Sequence, residues 1–412
     1  MDRLTASERR HDVDAVRTGA FALLILYHVG MVYVADWGFH IKSPSTAEWL
    51  QWPMVAINRW RMPLIFLVSG LALGLSALPR RPGRMALRRT SLLLVPLIFG
   101  MLAIVPIQAW VEARANGAFE AGFGAFMLRY LQLKPWLGGG FAGAEFGVTW
   151  NHLWYLAYLW TYTLVLAAGV VLHRAIRSPN PAQTQTQTPV GRIGIACLVT
   201  LPVLWWFFVL YVLEPQFGDT RALTDDWAQH AKYFPVFLLG FFLARRRAWW
   251  TAVRVYRRTP LALALTGLSV YMALRIAGRV LPPEELSTLP DLNWRAISDS
   301  AHAIYAWNAL LAILGYAAAW LNRPRRWMPY ANRAVYPWYI LHQSLIVPLA
   351  AVLIPLSLPG PVEAMLVLTG TIAGCAMIHH FVLLRVRWLQ PLMGMRLAPR
   401  PTIPATRRGS AA

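Results

Sequence analysis

Apolar stretches near or above 18 residues recur along the whole of this chain, and no other feature restricts its fold as much. Ten of them are read at 15–35, 53–78, 90–111, 150–172, 193–213, 230–244, 259–280, 298–321, 334–357 and 361–384. The sixth is short enough to tilt or re-enter. The expected fold is therefore all-α, a polytopic integral membrane bundle of about ten transmembrane helices. Composition agrees: 57% of the residues are hydrophobic and 14% charged, against about 25% charged in soluble domains. Twenty Trp and fifteen Tyr suit the aromatic belts of membrane interfaces.

A net charge of +21 would suit a nucleic-acid binder, but its distribution does not. The basic residues concentrate in short segments between apolar stretches, at 1–17, 79–91, 173–192, 245–258, 322–333 and 385–412. The positive-inside rule puts these six in the cytoplasm, with both chain termini on that side. The partners expected are the lipid bilayer and small substrates, with no nucleic acid. Only two cysteines occur, Cys197 and Cys375, both in apolar stretches, so neither a disulfide framework nor a metal site is read. Met1 to Arg17 is polar and lacks the short apolar core of a cleaved signal peptide, so the first helix is expected to act as its own signal. One transmembrane domain is expected over 1–384, followed by a basic cytoplasmic tail over 385–412. Ser178 to Pro189 (SPNPAQTQTQTP) reads as a polar cytoplasmic linker at about 178–190. On the opposite side, the long segment 112–149, with Leu137-Gly-Gly-Gly-Phe141, is expected to fold back over the bundle, and the loop at 281–297 is acidic and turn-rich.

Ionisable residues inside spanning helices are costly, so each is a candidate for function. Arg17 and His28 are eleven residues apart, about 1100° of helical rotation, so they share a face with His28 about 16 Å deeper. Asp14 shares that face, three residues before Arg17. Arg61 lies within the second stretch and must pair or face a polar cavity, while Ser69-Gly70 after it are explained by close helix packing. Asn151-His152-Leu-Trp154-Tyr155 opens the fourth stretch, and an interfacial role is enough to explain it. His342 lies nine residues beyond Arg333, about 13 Å in from the cytoplasmic edge, a depth like that of His28. Arg80-Arg81-Pro-Gly-Arg84-Met-Ala-Leu-Arg88-Arg89 is read as a basic loop, either an orientation signal or a site for phosphate groups.

In this order the clusters resemble the acyltransferase-3 family of bacterial membrane acyltransferases. Asp14-Ala-Val-Arg17, with His28 after ten intervening residues, is similar to the family's first-helix signature. Ile65-Phe66-Leu-Val-Ser69-Gly70 resembles its Phe-Phe-x-x-Ser-Gly element, and His152-Leu-Trp154-Tyr155-Leu156 its His-Leu-Trp-Phe-Leu element. Trp37-Gly-Phe-His40-Ile-Lys-Ser43 followed by Arg61-Met resembles more narrowly the glucans biosynthesis protein C branch, linked to succinylation of periplasmic glucans. Gln343 stands where that branch would have a second His.

The resemblance implies a bundle of ten or eleven helices in the bacterial inner membrane, which moves an acyl group from cytoplasmic acyl-CoA to an extracytoplasmic carbohydrate hydroxyl. Succinyl-CoA or acetyl-CoA would be a co-substrate, with no permanently bound cofactor. Arg17, Arg84, Arg88 and Arg89, with Ser69, would hold the CoA. His28 would act as general base or take the acyl group itself, His342 would orient it, Arg61 would stabilise an oxyanion, and Asp14 would assist from the same helix face. His152, Trp154, Tyr155 and His40 would line the acceptor side. The rival reading is a multi-pass transporter or flippase of an envelope saccharide or lipid, which would share the buried Arg and His but shows none of the repeats common in transporters. A third is a lipid-binding or scaffold protein of an envelope complex, which buried ionisable groups argue against.

Overall fold

The computed structural model describes residues 10–76, 81–176, 189–282, 284–285 and 290–397. The first nine residues, Arg80, nearly all of the 178–190 linker and the tail beyond 397 lie outside the described residues. No strand occurs among the described residues, and the single isolated bridge pairs Val34 with Ala47. The protein is a polytopic helical membrane bundle. Among the described residues, eight helices are long and apolar enough to cross a bilayer.

In chain order the helices are α1 His11–Tyr33, α2 Gln51–Gly74, α3 Pro82–Phe99, α4 Pro106–Ala115, α5 Phe123–Tyr130 and α6 Trp154–Ile176. There follow α7 Arg192–Phe208, α8 Glu214–Phe217, α9 Trp227–Ala244, α10 Arg247–Val255 and α11 Arg258–Val280. The last are α12 Trp294–Trp320, α13 Met328–Leu353, α14 Gly360–Met377 and α15 Leu389–Leu392. Each of the ten expected stretches coincides with a long helix, but two differ from expectation in an instructive way.

Where a basic loop is expected, α3 has already begun. Pro82 sits in its first turn, where a missing N–H costs nothing, and arginines are good helix formers, so Arg84, Arg88 and Arg89 project from a helix. The same helix continues through a π-turn at Gly100–Ile104 into α4 and reaches Ala115. The sixth stretch is a full 18-residue helix, because its polar first turns have partners. Lys232 pairs with Glu214, and His230 Nδ1 accepts from Tyr162 Oη at 2.9 Å.

Helices α2 and α9 are more polar than the eight, and they are buried against each other. Gly70 lies against the carbonyl of Phe237 and Gly240 against that of Leu67, so no Cβ fits at either position. The expectation that Ser69-Gly70 permits close helix approach is met in this pair. α12 is the most enclosed of the spans, and α1 packs against α2, α12, α13 and α14.

One end of the bundle carries Arg10, Arg17, the start of α3, α10 and the C-terminal segment. Arg10 lies 4.0 Å over the ring of Trp250 in α10. The opposite end carries the 34–50 loop and the 116–150 segment; of the stretch 112–149 expected to fold back over the bundle, 112–115 belong to α4 and the rest packs against the end of that helix. That segment has its own core of Phe126, Tyr130, Phe141 and Ala144 packed on Ala109 and Ala113 of α4. Tyr130 Oη donates to the carbonyls of Met101 and Thr149 at 3.1 and 3.3 Å, tying this cap to the π-turn. Burial pushes the Tyr130 hydroxyl up to about 12, so it stays a donor. Lys42 donates to the carbonyls of Met31 and Val34, a cation on the C-terminal end of α1.

Candidate active site

Packing of α1 on α13 brings the two deep histidines of the sequence together. His28 Nδ1 lies 2.8 Å from His342 Nε2, and the rings are stacked with centroids 5.0 Å apart. The proton positions follow from what lies behind. His342 Nδ1 is 2.8 Å from the carbonyl of Tyr339 and 3.1 Å from that of Trp338. A carbonyl only accepts, so this nitrogen carries hydrogen, and the other nitrogen of a neutral ring offers a lone pair. His28 Nδ1 then donates to it. His28 Nε2 is left with its own lone pair, on a side chain that is partly open while His342 is wholly buried.

His152, at the start of α6, completes a histidine triangle. Its Nε2 donates to the carbonyls of Tyr339 and Ile340 at 3.0 and 3.3 Å, and its ring meets that of His342 edge-on at 5.0 Å. Tyr339 Oη returns a 2.5 Å bond to the carbonyl of His152. Two residues in α4 that sequence reading left out extend the network toward the opposite end. Gln108, wholly buried, donates to Ser344 Oγ at 2.5 Å and lies 3.5 Å from His152 Nδ1. Gln343 donates to Gln108 Oε1 at 3.0 Å and to His40 Nε2 at 2.7 Å. His40 Nδ1 in turn donates to Glu112 Oε2 at 2.5 Å. Every proton in this chain has one consistent place. It pins the 34–47 loop, and with it Phe39, whose ring lies nearly parallel to that of His28 at 6.4 Å.

Arg61 is 7% exposed and lies 3.4 Å over the ring of Tyr27, in the neighbourhood of both His28 and His342. Its Nη2 donates to Asn58 Oδ1 at 3.4 Å, while Nε and Nη1 have no partner. Buried donors are normally satisfied, so two idle donor nitrogens on a buried cation mark a place for an anionic or developing-anionic oxygen.

Toward the Arg-rich end, an aromatic column leads away from the histidines. Phe21 meets Tyr339 edge-on at 5.4 Å, and Tyr155 meets Tyr339 at 5.9 Å and Phe66 at 4.8 Å. Ser69 and Tyr155 share a 2.5 Å hydrogen bond. At the end of the column Arg17 donates to Asn332 at 2.8 Å and lies 3.7 Å from Asp14. Arg88 is exposed and Arg89 half-buried on α3 nearby, and Arg84 projects outward from its first turns. Asp14 is thus at the Arg-rich end, fourteen residues and about 21 Å along the helix from His28. Trp154 is in the apolar core against Phe66, Tyr158 and Tyr233. The structure brings His28, His342, His152, His40 and Arg61 into one region, Ser69 and Tyr155 into the column, and Asp14 and Arg17 below it. Among the described residues no group of three His, Cys, Asp or Glu has the arrangement of a metal site.

The bundle thus holds a buried imidazole pair at the head of an aromatic column whose other end lies among arginines. The chain matches the model of the acyltransferase-3 family, described as an acyltransferase domain, over residues 10–380, and it belongs to that family. Comparison with curated proteins and with solved structures found no match.

Proposed function

We propose that the protein is an O-acyltransferase that moves a succinyl or acetyl group from cytoplasmic acyl-CoA to a hydroxyl of an extracytoplasmic carbohydrate, such as a periplasmic glucan or exopolysaccharide, in a bacterial inner membrane. The observation that carries this reading is the hydrogen-bonded chain Tyr339 carbonyl, His342, His28, which leaves an unprotonated Nε2 on His28 at the head of the aromatic column. The positive-inside rule makes the Arg-rich end cytoplasmic. The CoA phosphates would meet Arg17, Arg88 and Arg89 there, and the pantetheine arm would follow α1 along Phe21 and Tyr155. The distance it spans, Arg17 to His28, is about 16 Å.

In the reaction, His28 Nε2 accepts the hydroxyl proton as the acceptor oxygen attacks the thioester carbonyl. The bond formed is C–O. The carbonyl oxygen becomes an oxyanion, and Arg61 Nε and Nη1 supply the donors. As the intermediate collapses the C–S bond breaks, and the proton on His28 passes to the leaving thiolate to give free CoA. An imidazole suits both halves, because its ordinary pKa lies near neutrality. The same Nε2 serves equally if His28 takes the acyl group first and passes it on in a second step. Succinylation of a glucan is the specific version supported by Trp37 to Ser43, and Gln343 holds His40 in that segment.

Release of free CoA by purified protein in detergent tests the proposal, with succinyl-CoA and acetyl-CoA each offered with and without a crude periplasmic glucan. Acceptor-dependent release that disappears in His28→Ala is expected. Release that persists in His28→Ala would remove His28 from the chemistry, and no release with any pairing would point to transport.

A further inference from the structure

After α14 the chain does not leave the bundle. A π-turn at Ile378–Leu383 is followed by a short segment that tucks back under α3 and α13. Gln390 is buried and donates to the carbonyl of Leu383 at 3.0 Å, and the Met395 N–H returns to the Gln390 carbonyl at 2.8 Å. Met393 and Met395 are buried in the main core. Between them Gly394 takes a φ of +69°, a conformation glycine adopts without penalty, and lies flat against Tyr336, where a Cβ would come within 3.2 Å of the ring. These contacts fix the backbone up to Met395, immediately before Arg396.

Arg396 is exposed, two residues past Gly394, whose contact with Tyr336 on α13 places it at the Arg-rich end beside α3. The charges of Arg89, Arg17 and Arg88 all bear on it, as does Tyr336. Its pKa is lowered by partial burial first and then by these three like charges. Arg17 Nε and Arg89 Nε are buried without a partner. Among the described residues, Asp14, 3.7 Å from Arg17, is the one carboxylate within ion-pair distance of these four arginines. One carboxylate against four guanidinium groups leaves a surplus of positive charge that the fold holds in place, and guanidinium matches phosphate geometry bidentately.

We propose that Arg396 completes, with Arg17, Arg88 and Arg89, a phosphate-binding site for the adenosine 3′,5′-bisphosphate end of the acyl donor, held closed by the 389–397 segment. The inference rests on the donor being an acyl-CoA. A phosphate headgroup of an anionic lipid offers the same chemistry, so the test has to separate the two sources.

The experiment is equilibrium binding of adenosine 3′,5′-bisphosphate to the full-length protein, wild type and variants, in phosphatidylcholine and in phosphatidylglycerol nanodiscs. Arg396→Gln should weaken binding about tenfold, the effect of one charge-assisted hydrogen bond. Arg396→Lys should fall between, and Arg325→Gln, an exposed charge elsewhere on the same end, should bind as wild type. In turnover, Arg396→Gln should raise the KM for succinyl-CoA without lowering kcat, and leave an acyl-pantetheine donor unaffected. A general structural defect would lower kcat with both donors. Unchanged bisphosphate affinity in Arg396→Gln overturns this inference while CoA release by wild type keeps the donor assignment. Absence of CoA release overturns the donor assignment itself. Loss of bisphosphate binding in phosphatidylglycerol discs alone would overturn the nucleotide as occupant in favour of a lipid headgroup.

Discussion

His342 touches His28 through one hydrogen bond of 2.8 Å, and that bond decides which nitrogen of His28 faces the column with a lone pair. The carbonyl of Tyr339 fixes the tautomer of His342, and His342 fixes that of His28. His342→Ala should therefore lower kcat by roughly 10²-fold, within the range of a positioned base, with little change in donor KM. His342→Gln should do worse than its size suggests, because an amide N–H aimed at His28 Nδ1 would favour the opposite tautomer. Steady-state kinetics of the two variants, compared with His28→Ala, would check this ordering. Equal activity in His342→Gln and wild type would rule out control of the tautomer.

Arg61 is the second element of the proposed chemistry. With its ring contact to Tyr27 and two idle donor nitrogens, it needs its planar fork as much as its charge. Lysine keeps the charge and loses the fork. Arg61→Lys should thus recover little, and both Arg61→Lys and Arg61→Gln should cost about 10²–10³ in kcat if the donors meet an oxyanion. Single-turnover measurements, which isolate the acyl-transfer step, would read the loss directly. A change confined to donor KM would place Arg61 in binding instead.

Glu112 and His40 are 72 positions apart and share a 2.5 Å bond that holds the 34–47 loop against α4 and α13. Glu112→Gln replaces the accepting carboxylate by an amide and weakens a charge-assisted bond, a loss of about 1.5–3 kcal/mol in loop anchoring. On the proposed function the expected outcome is a higher KM for the carbohydrate acceptor with donor KM unchanged, since the proposed donor site is at the other end. His40→Asn should act in the same direction. Initial rates with each substrate varied in turn would separate the two constants, and a shift in donor KM alone would contradict this assignment.

Much of this was legible in the sequence because helical geometry is regular. The eleven-residue interval from Arg17 to His28 gives both a shared face and a depth difference, and the structure keeps both residues on α1. The matched depths of His28 and His342 anticipated their contact, and Ser69-Gly70 its close helix approach. What was not legible sits behind irregular backbone. The π-turn at Gly100–Ile104 lengthens a helix by an extra residue and shifts the face of everything after it, so Gln108 and Glu112 could not be aligned by counting from α3. Their own spacing of four is a usable signal, as is a Gln in an apolar stretch. Arg396 carried no signal, because its position depends on a left-handed glycine and two buried methionines in a segment that reads as tail.

The α2–α9 contact should set the stability of the whole bundle. With little hydrophobic force between helices in lipid, backbone approach at Gly70 and Gly240 is what makes this pair pack. A methyl at Gly240 would meet the carbonyl of Leu67, which is backbone and has no freedom to turn aside. Gly240→Ala is expected to destabilise the protein by about 1–3 kcal/mol, the scale of overpacking in a close-packed core. Gly278→Ala, on α11 with open space at its Cβ, is the control and should be tolerated. Thermal unfolding in detergent, followed by tryptophan fluorescence, would compare them. Because α2 carries Arg61 and Ser69, activity of Gly240→Ala should fall as packing loosens, even though Gly240 touches neither residue of the histidine pair. An undiminished midpoint for Gly240→Ala would mean that α2 and α9 can separate without cost, and that the site does not depend on their contact.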